Sequence, residues 1–129
     1  MRAAFLVGRI IFGGFFFYNG VNHFRQQAAL TQYSQAKNVP NPEWAVKASG
    51  TAMLLGGASI ALGIKPRWGS LALIGFLATA SPMMHDFWNS GDPAQGQDDM
   101  IHFSKNMALL GAAIALAGVP EPWPLSLES

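Results

Sequence analysis

Long, nearly uninterrupted apolar runs divide this chain. Four segments, Ala3–Asn22, Trp44–Ile64, Trp68–Met84 and Ile101–Val119, are dominated by Leu, Ile, Ala, Phe and Gly. Each approaches the ~20 residues that a helix needs to cross a ~30 Å hydrocarbon core. A soluble bundle would need a polar stripe on every helix, and neither Phe12–Tyr18 nor Leu71–Ala80 carries one. The pattern predicts an all-α fold: an integral membrane four-transmembrane-helix bundle, read as one domain over residues 1–129.

The segments between the spans fit this division. Phe24–Lys37 is rich in Gln and Ala, with Phe24, Leu30 and Tyr33 at intervals, and predicts a short interfacial helix in the first loop. Asn38 tolerates a left-handed backbone and is placed to end it. Asn41 before Pro42 reads as an N-cap followed by proline at the first helical position. Asp92-Pro93 and Gly96 mark an irregular second loop. Trp44 and Trp88 fall at span ends on one side, Trp68 and Trp123 on the other, the aromatic belt expected at the headgroups. Arg9 interrupts the first segment and no small-residue cleavage site follows, so a cleaved signal peptide is not expected.

Composition narrows the function classes. Of 129 residues, 50% are hydrophobic and 12% charged, with a formal net charge of +1, so no basic face for nucleic acid is expected. The chain has no cysteine, which excludes disulfides, thiol catalysis and cysteine-ligated metal centres. Electrons in any redox role would travel on something bound. Positive charges divide evenly between the two faces: Arg2, Arg9, Lys65 and Arg67 against Arg25, Lys37, Lys47 and Lys105. The short basic turn Lys65-Pro66-Arg67 favours termini inside and the polar hairpin outside.

The second and fourth spans echo one another, Leu54-Leu55-Gly56-Gly57-Ala58 beside Leu109-Leu110-Gly111-Ala112-Ala113. A parallel repeat and convergence of simple apolar sequence both account for this. Small residues such as Gly13, Gly14, Gly56, Gly57, Gly75 and Gly111 allow close helix approach in lipid.

Polar chemistry concentrates at one end. Four antiparallel spans gather Asn19, Asn22, His23, Lys47, His85, Asp86, His102, Lys105 and Asn106 on one face, with every histidine of the chain among them. Asn19, Asn22 and His23 are spaced i, i+3, i+4 on one helix side, and His102, Lys105 and Asn106 repeat that spacing. Three readings stay open. The polar groups tie helix ends together, with Asp86 pairing Lys105. Alternatively, His85, Asp86, His102, Lys105, Asn106, Asn19, Asn22 and His23 form a ligand-binding and proton-relay rim over an apolar pocket for a quinone or similar amphiphile. The third reading is metal or haem ligation by His23, His85 and His102, but no two of these share a helix at ligand spacing, and no metal is expected. Arg9, about two turns into the first span, costs ~2.5–3.5 kcal/mol at full depth on insertion scales. It is expected to serve a structural role between helices.

At these residues the chain resembles the DoxX family of small bacterial membrane proteins. The resemblance rests on Gly8-Arg9-Ile10 through Asn19-Gly20, on Tyr33 to Pro40, on Leu55-Gly56-Gly57, and on His85-Asp86-Phe87-Trp88 with His102-Phe103-Ser104-Lys105-Asn106. It implies a multi-pass protein of the bacterial cytoplasmic (inner) membrane, associated with quinone-coupled sulfur oxidation or thiol and oxidative-stress systems. Two departures stand out: Met53 where many relatives carry glutamate, and Asn38 where glycine is usual. Two expectations follow. One is an accessory subunit of a membrane redox system, with no intrinsic cofactor and a quinone as ligand. The other is a non-catalytic scaffold docking a partner membrane or redox protein, or a second copy in a homo-oligomer.

Overall fold

The computed structural model describes residues 2–127. Those residues form five α-helices: α1 (Arg2–Arg25), α2 (Gln27–Ala36), α3 (Pro42–Leu62), α4 (Pro66–Met84) and α5 (Pro93–Ala117), with one 3₁₀ turn at Phe87–Asn89. No strand occurs among them. By length and apolar composition, α1, α3 and α5 are each able to cross a membrane. The chain is a multi-pass membrane protein. The shorter α4 keeps an apolar centre over residues 71–80 but carries Arg67 in its first turn and Pro82 in its last, which shortens its uninterrupted apolar run.

Prolines and left-handed residues set the boundaries. Pro42, Pro66 and Pro93 each open a helix, where the missing N–H leaves no helical bond unmade. Asn38 has φ 61°, as its place after α2 requires. Asn41 precedes α3 at φ 47°, yet its side chain makes no capping bond. The capping oxygen instead belongs to Asp92, which accepts from the Ala94 N–H at 3.2 Å. That cap starts α5 well before the apolar segment begins at Ile101, so Asp98 and Asp99 lie inside the helix.

Helix neighbours run α1 to α3, α3 to α4, and α4 to α5, while α2 lies on α3. The α1–α3 crossing is glycine to glycine. A methyl on Gly57 would sit 2.6 Å from the Phe17 nitrogen, and one on Gly13 would sit 2.7 Å from the Ala61 nitrogen. Gly56 meets Leu73 of α4 in the same way, whereas a methyl on Gly14, Gly75 or Gly111 meets nothing within 4 Å. The echo between α3 and α5 therefore does not extend to packing: the α3 glycines are crossing points and Gly111 faces open space. Phe16, Met53, Ile60, Leu73 and Leu77 form the core between α1, α3 and α4.

Trp123 corrects the expected aromatic belt. It is 2% exposed and belongs to the core, its ring edge-on to Phe5 at 5.1 Å. Trp44 and Trp68 are each 71% exposed, as residues facing headgroups would be. The segment carrying Trp123 folds back over the end of the bundle opposite the histidines. There the buried Arg9 guanidinium donates to the carbonyls of Pro124 and Leu125 at 2.5 and 2.6 Å. It also lies over the rings of Phe5 and Trp123, at 5.8 and 5.9 Å from their centres. The Leu127 N–H returns to the Leu62 carbonyl at 3.0 Å, and Glu121 accepts from the Arg67 N–H at 2.9 Å. A charge inside an apolar helix is thus matched by backbone acceptors that are themselves short of helical partners.

Candidate functional site

The ends of α2 and α4 and the start of α5 converge on one buried carboxylate. Asp99 lies in the second turn of α5 and is 0% exposed. Lys37, the residue that ends α2, donates to Asp99 Oδ2 at 3.1 Å and to Asp86 Oδ1 at 2.8 Å. His85, which ends α4, places Nδ1 3.3 Å from Asp99 Oδ1. Around them the Lys37 ammonium lies 5.8 Å from the centre of the Tyr33 ring, Asn89 donates to Asp86 at 3.3 Å, and the side chains of Gln95 and Tyr33 also bond Asp99. A carboxylate stripped of water is costly unless charge-assisted hydrogen bonds replace its hydration, and Lys37 and His85 supply them.

The charge states follow from these contacts. The Lys37 bond holds the Asp86 carboxyl below its ordinary range, against the opposing pull of burial. Burial alone would lower the Lys37 ammonium, but its bonds to Asp86 and Asp99 outweigh burial and raise it. Burial lowers the His85 imidazole and dominates the opposing bond to Asp99. The pair Lys37–Asp86 is therefore held ionised and His85 is held neutral.

His85 stacks on His102 with ring centres 4.9 Å apart and planes inclined by 22°. His102 in turn lies 3.7 Å from Asp98, one turn earlier on α5. Beside them Phe87, Trp88 and Phe103 form an edge-to-face cluster with centres 5.1–5.6 Å apart, anchoring the 3₁₀ turn to α5.

The structure joins some of the residues singled out in the sequence and separates others. His85, Asp86 and His102 meet as described. Asp86 pairs with Lys37, not with Lys105, because α2 carries Lys37 across to the end of α4. Lys105 instead lies 5.9 Å from the Phe15 ring centre of α1. Asn19 donates to the Phe15 carbonyl at 2.7 Å, and His23 Nδ1 lies 3.2 Å from the Asn19 carbonyl, so both bond along α1 itself. Asn22 is half-buried, its carbonyl accepting from Gln26 N–H. Lys47 pairs with Glu43 on its own helix. Among the described residues no group of three or more His, Asp or Glu side chains is arranged to hold a metal ion.

Lys37 and Asp99 are functional candidates that the sequence reading missed. Asp99 sits one turn ahead of His102 and Phe103, and Gln95, Asp98, Asp99 and His102 fall at helical spacing. That periodicity would have carried α5 back into the second loop. Nothing local in the sequence points Lys37 at residues 49 and 62 positions away.

Between α2, α3 and α4 lies a cavity of about 510 Å³. Ala52, Leu71, Gly75, Phe76 and Met83 are among its apolar walls, and His23, Tyr33, Ser34, Ser49, Thr79, His85 and Asn106 are among its polar groups. Trp44 and Val39 lie at its α2–α3 edge. Apolar walls with a few convergent polar groups suit a small amphiphile. The ion cluster stands directly behind it, because His85 both lines the cavity and bonds Asp99.

The DoxX family model matches residues 4–86, from the first turn of α1 through Asp86. The chain belongs to the DoxX family. No curated protein and no solved structure gives a significant match. The DoxX match takes in α1, α2, α3, α4 and the Lys37–Asp86 pair, together with most of the cavity wall. Asp99, His102 and Asn106, contributed by α5, lie beyond it.

Proposed function

We propose that this DoxX-family protein crosses the bilayer four times and binds the head group of a quinone-class amphiphile in the cavity between α2, α3 and α4. It acts there as an accessory subunit of a membrane redox system in the bacterial cytoplasmic membrane. The carrying observation is that His85 touches the cavity on one side and a buried, lysine-paired carboxylate on the other. A head group with exchangeable protons needs such an arrangement: a neutral imidazole to meet it and a fixed charge behind to stabilise imidazolium. The protein supplies binding, orientation and proton handling, while electrons travel on the ligand and a partner. As the fourth crossing, α4 has 19 residues, about 28 Å of helix at 1.5 Å per residue, enough for a thin hydrocarbon core.

The test is equilibrium binding of decylhydroquinone, kept reduced under anaerobic conditions, to the purified full chain in lipid nanodiscs. His85→Ala removes the polar contact, and Gly75→Leu fills the cavity where an added carbon meets nothing within 4 Å. Both variants are expected to weaken binding at least about tenfold, a loss of about 1.4 kcal/mol. Unchanged affinity in both would reject the site.

A second reading, a scaffold that docks a partner subunit, is favoured by α5. That helix buries only Asp99 and Ala113 and exposes Met100, Ile101 and Ile114. A stoichiometric partner that copurifies with both cavity variants, in the absence of any quinone binding, would support it instead.

A further inference from the structure

The two histidines that line the cavity have the same ring nitrogen already engaged. His85 Nδ1 faces Asp99 Oδ1 at 3.3 Å, and His23 Nδ1 faces the Asn19 carbonyl oxygen at 3.2 Å. A carbonyl oxygen only accepts, and so does an ionised carboxylate. Asp99 is kept ionised by the Lys37 ammonium at 3.1 Å. In both rings the proton of the neutral imidazole therefore resides on Nδ1, as it does where a carboxylate or backbone carbonyl fixes a histidine tautomer. Nε2 is left as a lone-pair acceptor in each, and neither Nε2 has a hydrogen-bond partner among the described residues.

The other polar groups on the cavity do not reverse this bias. Tyr33 donates its hydroxyl proton toward the Met84 carbonyl at 3.4 Å, and Ser34 directs its own at Met84 Sδ at 3.7 Å. Asn106, Ser49 and Thr79 can each either donate to a ligand or accept from it and so discriminate nothing, and the Trp44 indole N–H, a donor only, belongs to a side chain that is 71% exposed. A quinone offers two carbonyl acceptors, which would face these two acceptor nitrogens unpaired. A hydroquinone offers two hydroxyl donors.

We infer that the cavity selects a head group bearing hydroxyl donors, the reduced hydroquinone state, with His85 and His23 as the two acceptors. This rests on the cavity being an amphiphile site, and it adds which redox state the site holds. His85 and His23 meet the ligand, while Asp99 and the Asn19 carbonyl are positioning groups that act through them. The selectivity is a property of neutral imidazole: protonation turns Nε2 into a donor and removes the preference.

Three probes of one shape separate the outcomes: decylhydroquinone, its dimethyl ether and the corresponding decylbenzoquinone. Each is titrated anaerobically into the full chain in nanodiscs by calorimetry. Hydroquinone is expected to bind about tenfold more tightly than the ether for each acceptor engaged, and more tightly than the quinone. His85→Phe and His23→Phe should each remove about one such factor while leaving affinity for the ether unchanged, which also shows that the variant is folded. Asp99→Asn, whose amide can donate to Nδ1 and so move the His85 proton to Nε2, should shift preference toward the quinone. Equal binding of all three probes by the wild type would overturn the inference and leave the cavity reading intact. Binding of none would overturn both.

Discussion

Lys37 illustrates how one residue can matter more than its sequence context suggests. Its ammonium is the cation shared by Asp86 and Asp99, and Asp99 has no access to water. Removing Lys37 leaves a buried carboxylate with only uncharged partners, His85, Gln95 and Tyr33, which are weaker counterparts. Lys37→Met is therefore expected to destabilise the protein by about 3 kcal/mol, the range seen when one partner of a buried pair is lost. Lys105→Met, which removes a contact with the Phe15 ring, is expected to cost less than about 1 kcal/mol. Thermal unfolding in detergent compares the two.

The same residues set a pH window. The folded chain lowers Asp86, so its contribution is present above the ordinary carboxylate value of 3.8 and is lost as pH falls through the folded value. Burial lowers His85, so protons bind the unfolded chain first and stability declines as pH falls below 6.5. Lys37 is raised by its two carboxylate bonds despite burial, so its contribution is complete below 10.5 and is lost as pH rises through the folded value. Stability is expected to be greatest between these limits. A lower melting temperature at about pH 5 than at about pH 7.5, with the difference reduced in His85→Phe, is the expected result. A flat wild-type profile would contradict the His85 contribution.

Among the elements, glycine positions separate crossing points from open surface. Gly57→Leu would drive a side chain into the α1 backbone at Phe16 and Phe17, whereas Gly111→Leu enters free space on α5. The first is expected to abolish folded yield or cost more than about 3 kcal/mol, as overpacking at a backbone crossing does. The second is expected to change stability by less than about 1 kcal/mol. In the sequence these glycines look alike, since each stands in a Leu-Leu-Gly run. Composition and run length made the helices legible, and left-handed Asn38 was readable from residue type alone. The start of α5 was not, because its first two turns are polar and only the Asp92 cap and the i, i+3, i+4 spacing reveal them. The burial of Trp123 was hidden for a different reason: it depends on a chain reversal that brings residues 120–127 onto Arg9. Histidines and Asp86 could be found as polar residues at apolar ends, but the carboxylate they organise around required knowing where α2 lies.

Taken as a whole, the molecule is polarised between its ends. One end is closed by the returning segment, with Arg9 and Trp123 buried beneath it. The other gathers three histidines, the Lys37–Asp86–Asp99 cluster and the cavity. The proposed four crossings would place residues 38–41 and 90–92 on one face of the membrane and the α3–α4 turn on the other. Because the chain has no cysteine, single-cysteine variants carry an unambiguous label. Asn38→Cys and Ser90→Cys are expected to react with a membrane-impermeant maleimide from the same side, and Lys65→Cys only from the opposite side. Opposite sidedness for positions 38 and 90 would contradict the four-crossing arrangement.

The proposed function requires that the cavity hold a redox-active head group against His85. Equilibrium binding of decylhydroquinone to nanodisc-embedded protein, compared across wild type, Gly75→Leu and His85→Ala, measures this directly. Saturable binding of one ligand per chain, weakened at least about tenfold by either substitution, is the predicted result. Absence of saturable binding, or binding that neither substitution alters, would contradict it.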